Sequence, residues 1–542
     1  MKNYKGRGIL ILLVLSSLIA WTYKLTFSAE PASQSWPPRQ LLQPTGWWPS
    51  PTLLVTVGDS LTQGTRDATN NRYNTENAFV QKIAEKLDPV MWLKFAQPLL
   101  DENQNRINPL TVPTNLGVDG EDIFSVDGWE YGKRVGSGSN YLSDEYFCDR
   151  LQPYLFTDMH DKVLYPINVL ALKKVTQLDS LIWWLKNHNG PAWVIFWVGN
   201  NDAALATLGL GGSNPMYLPI PYDQIKDKLK PVISYLLGYG RSKGVLAFDP
   251  YTDANISRNL TEESDFASQF ASVISRIPLS RANTQFFFLT YPYYCEVGYL
   301  MDKSDLEFYL RKLYPSYSCP NGFSGRVSLL TFICMYALLK DGEIGRLASI
   351  LGDGRLILNE SERSTIKSRI DYFNTKVNSL TGSNVHKVPT ADKLNQAFSS
   401  GLPVDGRLLT RNWGRGNAFS FDGVHPNHTV HAYIANIVLG EMAKLNSKIT
   451  VYNLATILQN DPYIDRDGDG WMPGPDYKAS GRTKILFLFK DYKEGAYGPA
   501  VIDTMSSAEV WEVISDALWE EILTIPLIRV EAQRIGFLPI KN

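Results

Sequence analysis

Cysteine is scarce in this sequence, four in 542 residues, which excludes a disulfide-dense scaffold. Cys148, Cys295, Cys319 and Cys334 contain no C-x-x-C pair, so a thiolate zinc site is not expected. One disulfide, Cys295–Cys319, is left open, while Cys334 in the apolar run Phe332–Met335 reads as a small core residue. Histidine is almost as rare, with six residues and no H-E-x-x-H, which removes support for a zinc protease. Neither sign of charge is in excess: 53 Lys+Arg against 55 Asp+Glu give a net charge of -2, so nucleic acid is not an expected partner. The nucleophile elbow G-x-S-x-G is also missing, since Gly322-Phe323-Ser324-Gly325 misses by one position; that argues against an α/β-hydrolase.

What is present is a 44% hydrophobic share, enough for a large folded core and contrary to general disorder. The 12% aromatic share points first to core filling and only second to ligand contact. Lys2, Lys5 and Arg7 precede an apolar run from Ile9 to Trp21, the charged and apolar regions of an export signal. These thirteen residues span only about 20 Å of a hydrocarbon core of roughly 30 Å. Extension to Phe27 would cross it with Lys24 snorkelling. Residues 1–29 are therefore read as a cleaved signal or an uncleaved anchor, with a buried core helix the third alternative. Either of the first two makes the protein exported, secreted or periplasmic. No other stretch approaches about 18 uninterrupted apolar residues. Residues 30–50, rich in Pro, Ser, Gln and Trp, read as a stiff tether.

Downstream, Leu53–Val57, Trp193–Val198, Phe286–Thr290 and the weaker Val385–Val388 read as buried strands. A further strand is expected near Leu110–Val112. Helical spacing appears at Phe79, Val80, Ile83 and Leu87, around Leu178–Leu185, from about Ser364 to Leu380, and from Val430 to Met442. Alternation of this kind predicts an α/β fold with a parallel sheet. Residues near 203–262 and 293–360 break the alternation and read as insertions that shape a substrate cleft.

Four pieces carry chemistry. Gly58-Asp59-Ser60-Leu61 places a serine just past a strand, where open α/β sheets bind ligands; Asp-Ser is also an ordinary N-cap pair. Asn115-Leu116-Gly117-Val118-Asp119-Gly120 offers glycine-rich backbone that could present an N–H to an anion. Gly199-Asn200-Asn201-Asp202 abuts the strongest strand, and an asparagine there suits either an oxyanion donor or a helix cap. In Asp422-Gly423-Val424-His425, a carboxylate three residues before an imidazole can turn back and fix the ring. His425 alone among the histidines has such a partner; His428 and His431 continue along the next helix, where packing or solvent explains them.

In this order the four pieces resemble the signature blocks of the SGNH/GDSL hydrolase family. The resemblance runs from residue 51 to 445 and implies a three-layer α/β/α, flavodoxin-like fold. It also implies Ser60 as nucleophile, His425 as general base and Asp422 as its orienting carboxylate. The oxyanion hole would fall on the N–H of Ser60, the N–H of Gly120 and the side chain of Asn201, with no cofactor for catalysis. The stretch from Asp202 to Asp422 is longer than in compact members, so the substrate is read no further than a carboxylic ester of a lipid, carbohydrate or other small molecule. Acyl transfer on the same site and a non-catalytic, calcium-stabilised surface module are the alternatives.

Residues 446–542 form a C-terminal extension that the resemblance does not require. Within 465–476, Asp465, Asp467 and Asp469, Gly470 and Asp476 occupy positions 1, 3, 5, 6 and 12 of an oxygen-ligand loop. The backbone of Trp471 would be a further calcium ligand. The segment resembles EF-hand-like and dockerin-like loops, although Pro473 and Pro475 oppose an exiting helix. Ile485–Phe489 and Trp511–Ile525 read as a strand and a helix.

Overall fold

Between Leu53 and Val57 only Thr56 is polar, and a strand apolar on both faces must sit inside a sheet that is covered on both. The computed structural model, which describes residues 50–128, 159–171, 175–210, 215–493 and 496–539, puts that run there. The export segment, the tether up to residue 49 and Cys148 lie outside the described residues. Five parallel strands, β1 (Thr52–Gly58), β2 (Leu93–Lys94), β3 (Ala192–Trp197), β4 (Thr284–Leu289) and β5 (Val385–Val388), make the central sheet. Their spatial order is β2-β1-β3-β4-β5. β1 runs beside β3 from Leu53↔Ala192 to Gly58↔Trp197, and β3 beside β4 from Ala192↔Thr284 to Phe196↔Phe288.

This is the flavodoxin-like order, with its switch point between β1 and β3. Chain connections leave the sheet in opposite directions there, so a crevice opens beyond the carboxyl ends of those two strands. The flanking helices relevant to the site are α1 (Ser60–Gln63), α2 (Phe79–Leu87), α3 (Gln177–Asn187), α4 (Asn201–Leu208), α5 (Glu263–Arg276), α6 (Leu329–Lys340), α7 (Glu360–Asn378) and α8 (His428–Ala443). The extension adds α9 (Thr483–Leu486) and α10 (Ser507–Ile522). α2 packs on α8 and α5 on α7. Phe79 meets Trp197 edge-on at 5.5 Å, and Phe266 stacks on Phe373 at 3.9 Å. Among the described residues no helix is long and apolar enough to cross a membrane.

The second interrupting stretch carries an antiparallel sheet of Leu300–Met301, Arg326–Ser328 and Ile357–Leu358, and helix α6. Apolar around its whole circumference and buried over nearly its whole length, α6 needs cover on every side. The extension supplies part of it. Tyr336 donates to Asp503 Oδ1 at 2.6 Å, Lys340 Nζ to the Ile502 carbonyl at 2.7 Å, and Trp511 Nε1 to Asp341 Oδ2 at 2.8 Å.

Three expectations are corrected. Leu110–Val112 is not a strand: Pro109 and Pro113 bracket it, and the edge of the sheet is taken by β2. The segment just beyond bonds to β1 at isolated points without forming a ladder: Thr56 N–H to the Thr114 carbonyl at 3.0 Å, Leu116 N–H to the Thr56 carbonyl at 2.8 Å and Val118 N–H to the Gly58 carbonyl at 3.1 Å. Ile485–Phe489 is the end of α9 followed by a 3₁₀ turn, Phe487–Phe489, because a continuous apolar run of that length serves a buried helix end as well as a strand. Cys295 and Cys319 are free, buried thiols and not a disulfide. Burial pushes them up to about 12 and about 11 respectively, so both are inert at neutral pH. Iodoacetamide applied to the native protein is expected to leave both unmodified, and applied after unfolding without reductant to alkylate both. A disulfide-linked peptide joining them in a non-reducing digest would overturn this assignment.

Candidate active site

β1 delivers Asp59 and Ser60 to the crevice. The Asp59 side chain caps α1 by accepting the Leu61 N–H at 3.0 Å, so the N-cap reading of Asp-Ser is correct, and it leaves Ser60 as the first helical residue facing the crevice. Asp59 also accepts from Asn200 Nδ2 at 2.6 Å, which ties the end of β1 to the end of β3. Burial pushes the Asp59 carboxyl up to about 7, although the bonds from Asn200 and Leu61 act against it. Asn200 precedes α4 without capping it. Asn201 turns the other way and donates to the Glu121 carbonyl at 2.9 Å, which fixes its amide beside Gly120. The backbone at Gly120 has φ +82°, a conformation costly to any residue with a Cβ.

Asp422 and His425 come from the loop before α8, where Asn427 caps the helix by accepting the Val430 N–H at 2.9 Å. Asp422 Oδ2 accepts His425 Nδ1 at 2.8 Å and the Ala68 N–H at 2.9 Å. Its Oδ1 accepts the N–H groups of Val424 and His425, both at 2.8 Å, and the Ser420 hydroxyl at 3.1 Å. The loop can curl this tightly because Gly423 has φ +67°, and a Cβ there would lie 2.5 Å from the Tyr299 nitrogen. Burial alone would raise the Asp422 carboxyl, but the His425 charge and these donors hold it below its ordinary value. On His425, burial favours the neutral ring, and the Asp422 charge and hydrogen bond, aided by Asp119 and Asp59, outweigh it and lift the pKa above its ordinary 6.5. With Nδ1 committed to Asp422, Nε2 is left to exchange a proton. No hydrogen bond joins Ser60 Oγ to His425 among the described residues, as is common before a substrate aligns such a pair.

Ser60, Gly120, Asn201, Asp422 and His425 all line one cavity of about 410 Å³, within the range of ligand sites. Its apolar lining is drawn from three separate parts of the chain: Met216 and Leu218, then Leu329 and Cys334, then Ile485 and Leu518. At the same cavity Arg482 and Glu521 form a two-pronged ion pair, 2.6 and 2.8 Å. His428 and His431 are buried packing residues: His428 lies edge-on to Tyr463 at 5.6 Å, and His431 Nδ1 accepts the Phe79 N–H at 3.1 Å.

Sequence reasoning missed the group that holds this loop in place. Asp67, fully buried, accepts the Phe421 N–H at 2.8 Å and the hydroxyls of Tyr463 and Tyr477 at 2.6 and 2.5 Å. Its neighbour Arg66, also fully buried, donates to the carbonyls of Pro426, Asn74 and Asn77 at 3.2, 2.8 and 2.8 Å. No local pattern marks either residue; only the step from Leu-Thr-Gln-Gly into charged residues hints at them.

In the candidate metal loop, carboxylate oxygens of Asp465, Asp467 and Asp469 lie within 4.8 Å of one another. Asp476, expected as the twelfth-position ligand, is exposed and is not one of these three. Prolines 473 and 475 take the chain out of the loop without a helix. The Trp471 side chain packs 5.0 Å from Tyr309.

Residues 54–322 match the sequence model of the family described as GDSL-like Lipase/Acylhydrolase. The match takes in Ser60, Gly120 and Asn201 and ends before Asp422 and His425, which the fold returns to the same cavity. No curated protein matches the chain.

Replacing Asp67 strands two tyrosine hydroxyls and a backbone N–H in the interior. Asp67→Ala is therefore expected to lower unfolding stability by roughly 1–3 kcal/mol, read from urea denaturation. An unchanged midpoint would show that those donors find other partners.

Proposed function

Because this chain belongs to the GDSL-like lipase/acylhydrolase family, whose chemistry is ester hydrolysis, we propose that it cleaves carboxylic esters with an apolar acyl arm through an acyl-Ser60 intermediate. The observation that carries this reading is the one cavity onto which Ser60 and the Asp422–His425 pair both open, with a largely apolar lining.

Ser60 Oγ attacks the ester carbonyl while His425 Nε2 takes its proton, and Asp422 holds the imidazole in the tautomer that can accept it. The carbonyl oxygen becomes an oxyanion facing the N–H groups of Ser60 and Gly120 and the amide of Asn201. Each such donor is typically worth about 2.7–4 kcal/mol in the transition state. His425 returns the proton to the departing alkoxide, the alcohol leaves, and a water activated by the same imidazole releases the acid. The acyl arm lies along Met216, Leu218, Leu329 and Leu518, where burial of each methylene contributes about 0.8 kcal/mol. The export reading of residues 1–29, cleaved or retained as a membrane tether, is part of the same proposal and rests on their charge and length.

A fluorophosphonate probe is expected to label the folded protein, and Ser60→Ala to abolish labelling; a wild type that stays unlabelled would sink the mechanism. Across a series of p-nitrophenyl esters, Leu518→Trp is expected to shift the optimum towards shorter acyl chains, and an unshifted optimum would remove the acyl arm from this wall. The base must be neutral, so kcat/KM should rise with pH through an acid limb above about 6.5. Asp422→Asn removes the charge that lifts the limb and leaves the burial that lowers it. The limb should move to lower pH while the rate falls roughly 10³–10⁴-fold; a limb that stays in place would dissociate Asp422 from the base.

A further inference from the structure

The loop carboxylates of Asp465, Asp467 and Asp469 are held by the loop's own backbone. The N–H groups of Gly468 and Gly470 donate to Asp465 at 2.7 and 2.8 Å, and the N–H of Trp471 to Asp469 at 2.8 Å. A solvated acidic turn could look the same. What such a turn does not account for is Asp491, which comes from a separate segment beyond α9. Its backbone N–H donates to the Met472 carbonyl at 3.0 Å, and Lys490 bridges Met472 in parallel, so the segment is laid against the end of the loop. The Asp491 side chain is only 5% exposed, and its Oδ1 is buried without a hydrogen-bond partner. The charges that bear on it are those of Asp469, Asp467 and Asp465, with Lys490 opposing them.

Four carboxylates, those of Asp465, Asp467, Asp469 and Asp491, carry negative charge into this part of the extension. Among the described residues none of them has a lysine or arginine within salt-bridge distance. The ammonium groups of Lys490 and Lys312 are engaged elsewhere: Lys490 Nζ donates to the Pro475 carbonyl at 2.6 Å, and Lys312 lies over the rings of Trp471 and Phe308 at 4.9 and 5.2 Å. A buried carboxylate without a hydrogen-bond partner, laid beside the end of a loop that carries three others, is costly unless a cation joins them. All the candidate donors are carboxylate oxygens, and the loop cluster of Asp465, Asp467 and Asp469 includes no histidine or cysteine, which suits a hard ion and not zinc. The irregular loop suits calcium, which tolerates varied oxygen geometry, better than magnesium, which demands a near-ideal octahedron.

We propose that Asp465, Asp467, Asp469 and Asp491 form a calcium site, with Asp491 supplying the carboxylate that the loop's twelfth position, Asp476, does not. The site is structural and lies apart from the reacting atoms. The Asp465 N–H donates to Asn417 Oδ1 at 2.5 Å, Arg407 donates to the Asp465 carbonyl at 2.8 Å, and Tyr309 donates to the Gly470 carbonyl at 2.9 Å. Bound calcium thus secures the extension against the strip that leads to Asp422 and His425.

The test is thermal unfolding of the full chain in EGTA and in calcium, independent of any enzymatic activity. Calcium is expected to raise the melting temperature, because a ligand of the native state stabilises it by mass action. Asp491→Asn should weaken calcium binding tenfold or more by calorimetry, and Asp476→Asn should leave it unchanged. A wild-type melting temperature indifferent to calcium overturns the site, and an Asp491→Asn affinity equal to wild type overturns the ligand assignment. Should Asp491→Asn fail to fold, terbium luminescence excited through Trp471 on the wild type serves instead. Emission lost on adding calcium is the expected result, and no sensitised emission refutes the proposal.

Discussion

The carboxylate of Asp67 ties together three stretches of chain that share no local sequence. Its oxygens take the N–H of Phe421 from the strip before His425, and the hydroxyls of Tyr463 and Tyr477 from the extension. Its own carbonyl accepts Thr483 Oγ1 at 2.9 Å. Both Asp67 and Ala68 stand at φ +52°, a conformation that costs a non-glycine residue of the order of 1–3 kcal/mol and persists only where surrounding bonds over-determine it. The strain aims the Ala68 N–H at Asp422 Oδ2. The geometry at Asp422 is therefore a consequence of the turn after Ser60, and the nucleophile segment and the base segment are positioned by one short loop.

That dependence on distant parts of a long chain extends to the walls of the site. The sheet supplies only the floor of the site: the ends of β1 and β3, and the loop before α8. Its walls come from the two interrupting stretches and the extension. Each is incomplete alone, since α6 exposes an apolar circumference that needs the extension as cover, and α9 and α10 present Ile485 and Leu518 to the same cavity. Packing of those faces against one another forms part of the cavity's apolar lining, so the packing that stabilises the extension also shapes the space available to a substrate.

The central strands and long helices were legible because their signal is local: continuous apolar runs for β1, β3 and β4, and helical periodicity in α2, α3 and α8. The edge strand β2 has two residues, too few for a pattern, and an apolar stretch between two prolines took its expected place. Ile485–Phe489 shows the limit of periodicity for a run apolar at every position, where tertiary cover decides between helix and strand. The same division holds at the site. Asp422 and His425 are three residues apart and readable as a pair. The partners of Asp67 lie 354, 396 and 410 residues away, and nothing in a single sequence reports a contact of that kind. Asp491 is hidden for the same reason: loop spacing pointed to Asp476, while the chain fold lays the buried Asp491 against the end of the loop.

Asp67 and Asp422 also show how one neighbourhood sets two carboxyl groups apart. Burial, and then the charge of Asp422, push Asp67 up to about 6. Asp422, equally deep, is held below its ordinary value because five donors and the imidazole charge converge on it. Two like charges this close cannot both ionise freely, and the number of donors decides which one keeps its charge. Donors are concentrated on the carboxylate that faces the imidazole, and the proton affinity is left on the one that faces the tyrosines. Asp422 is consequently the carboxylate that stays anionic where His425 serves as a base, and its charge is part of what raises the proton affinity of Asp67.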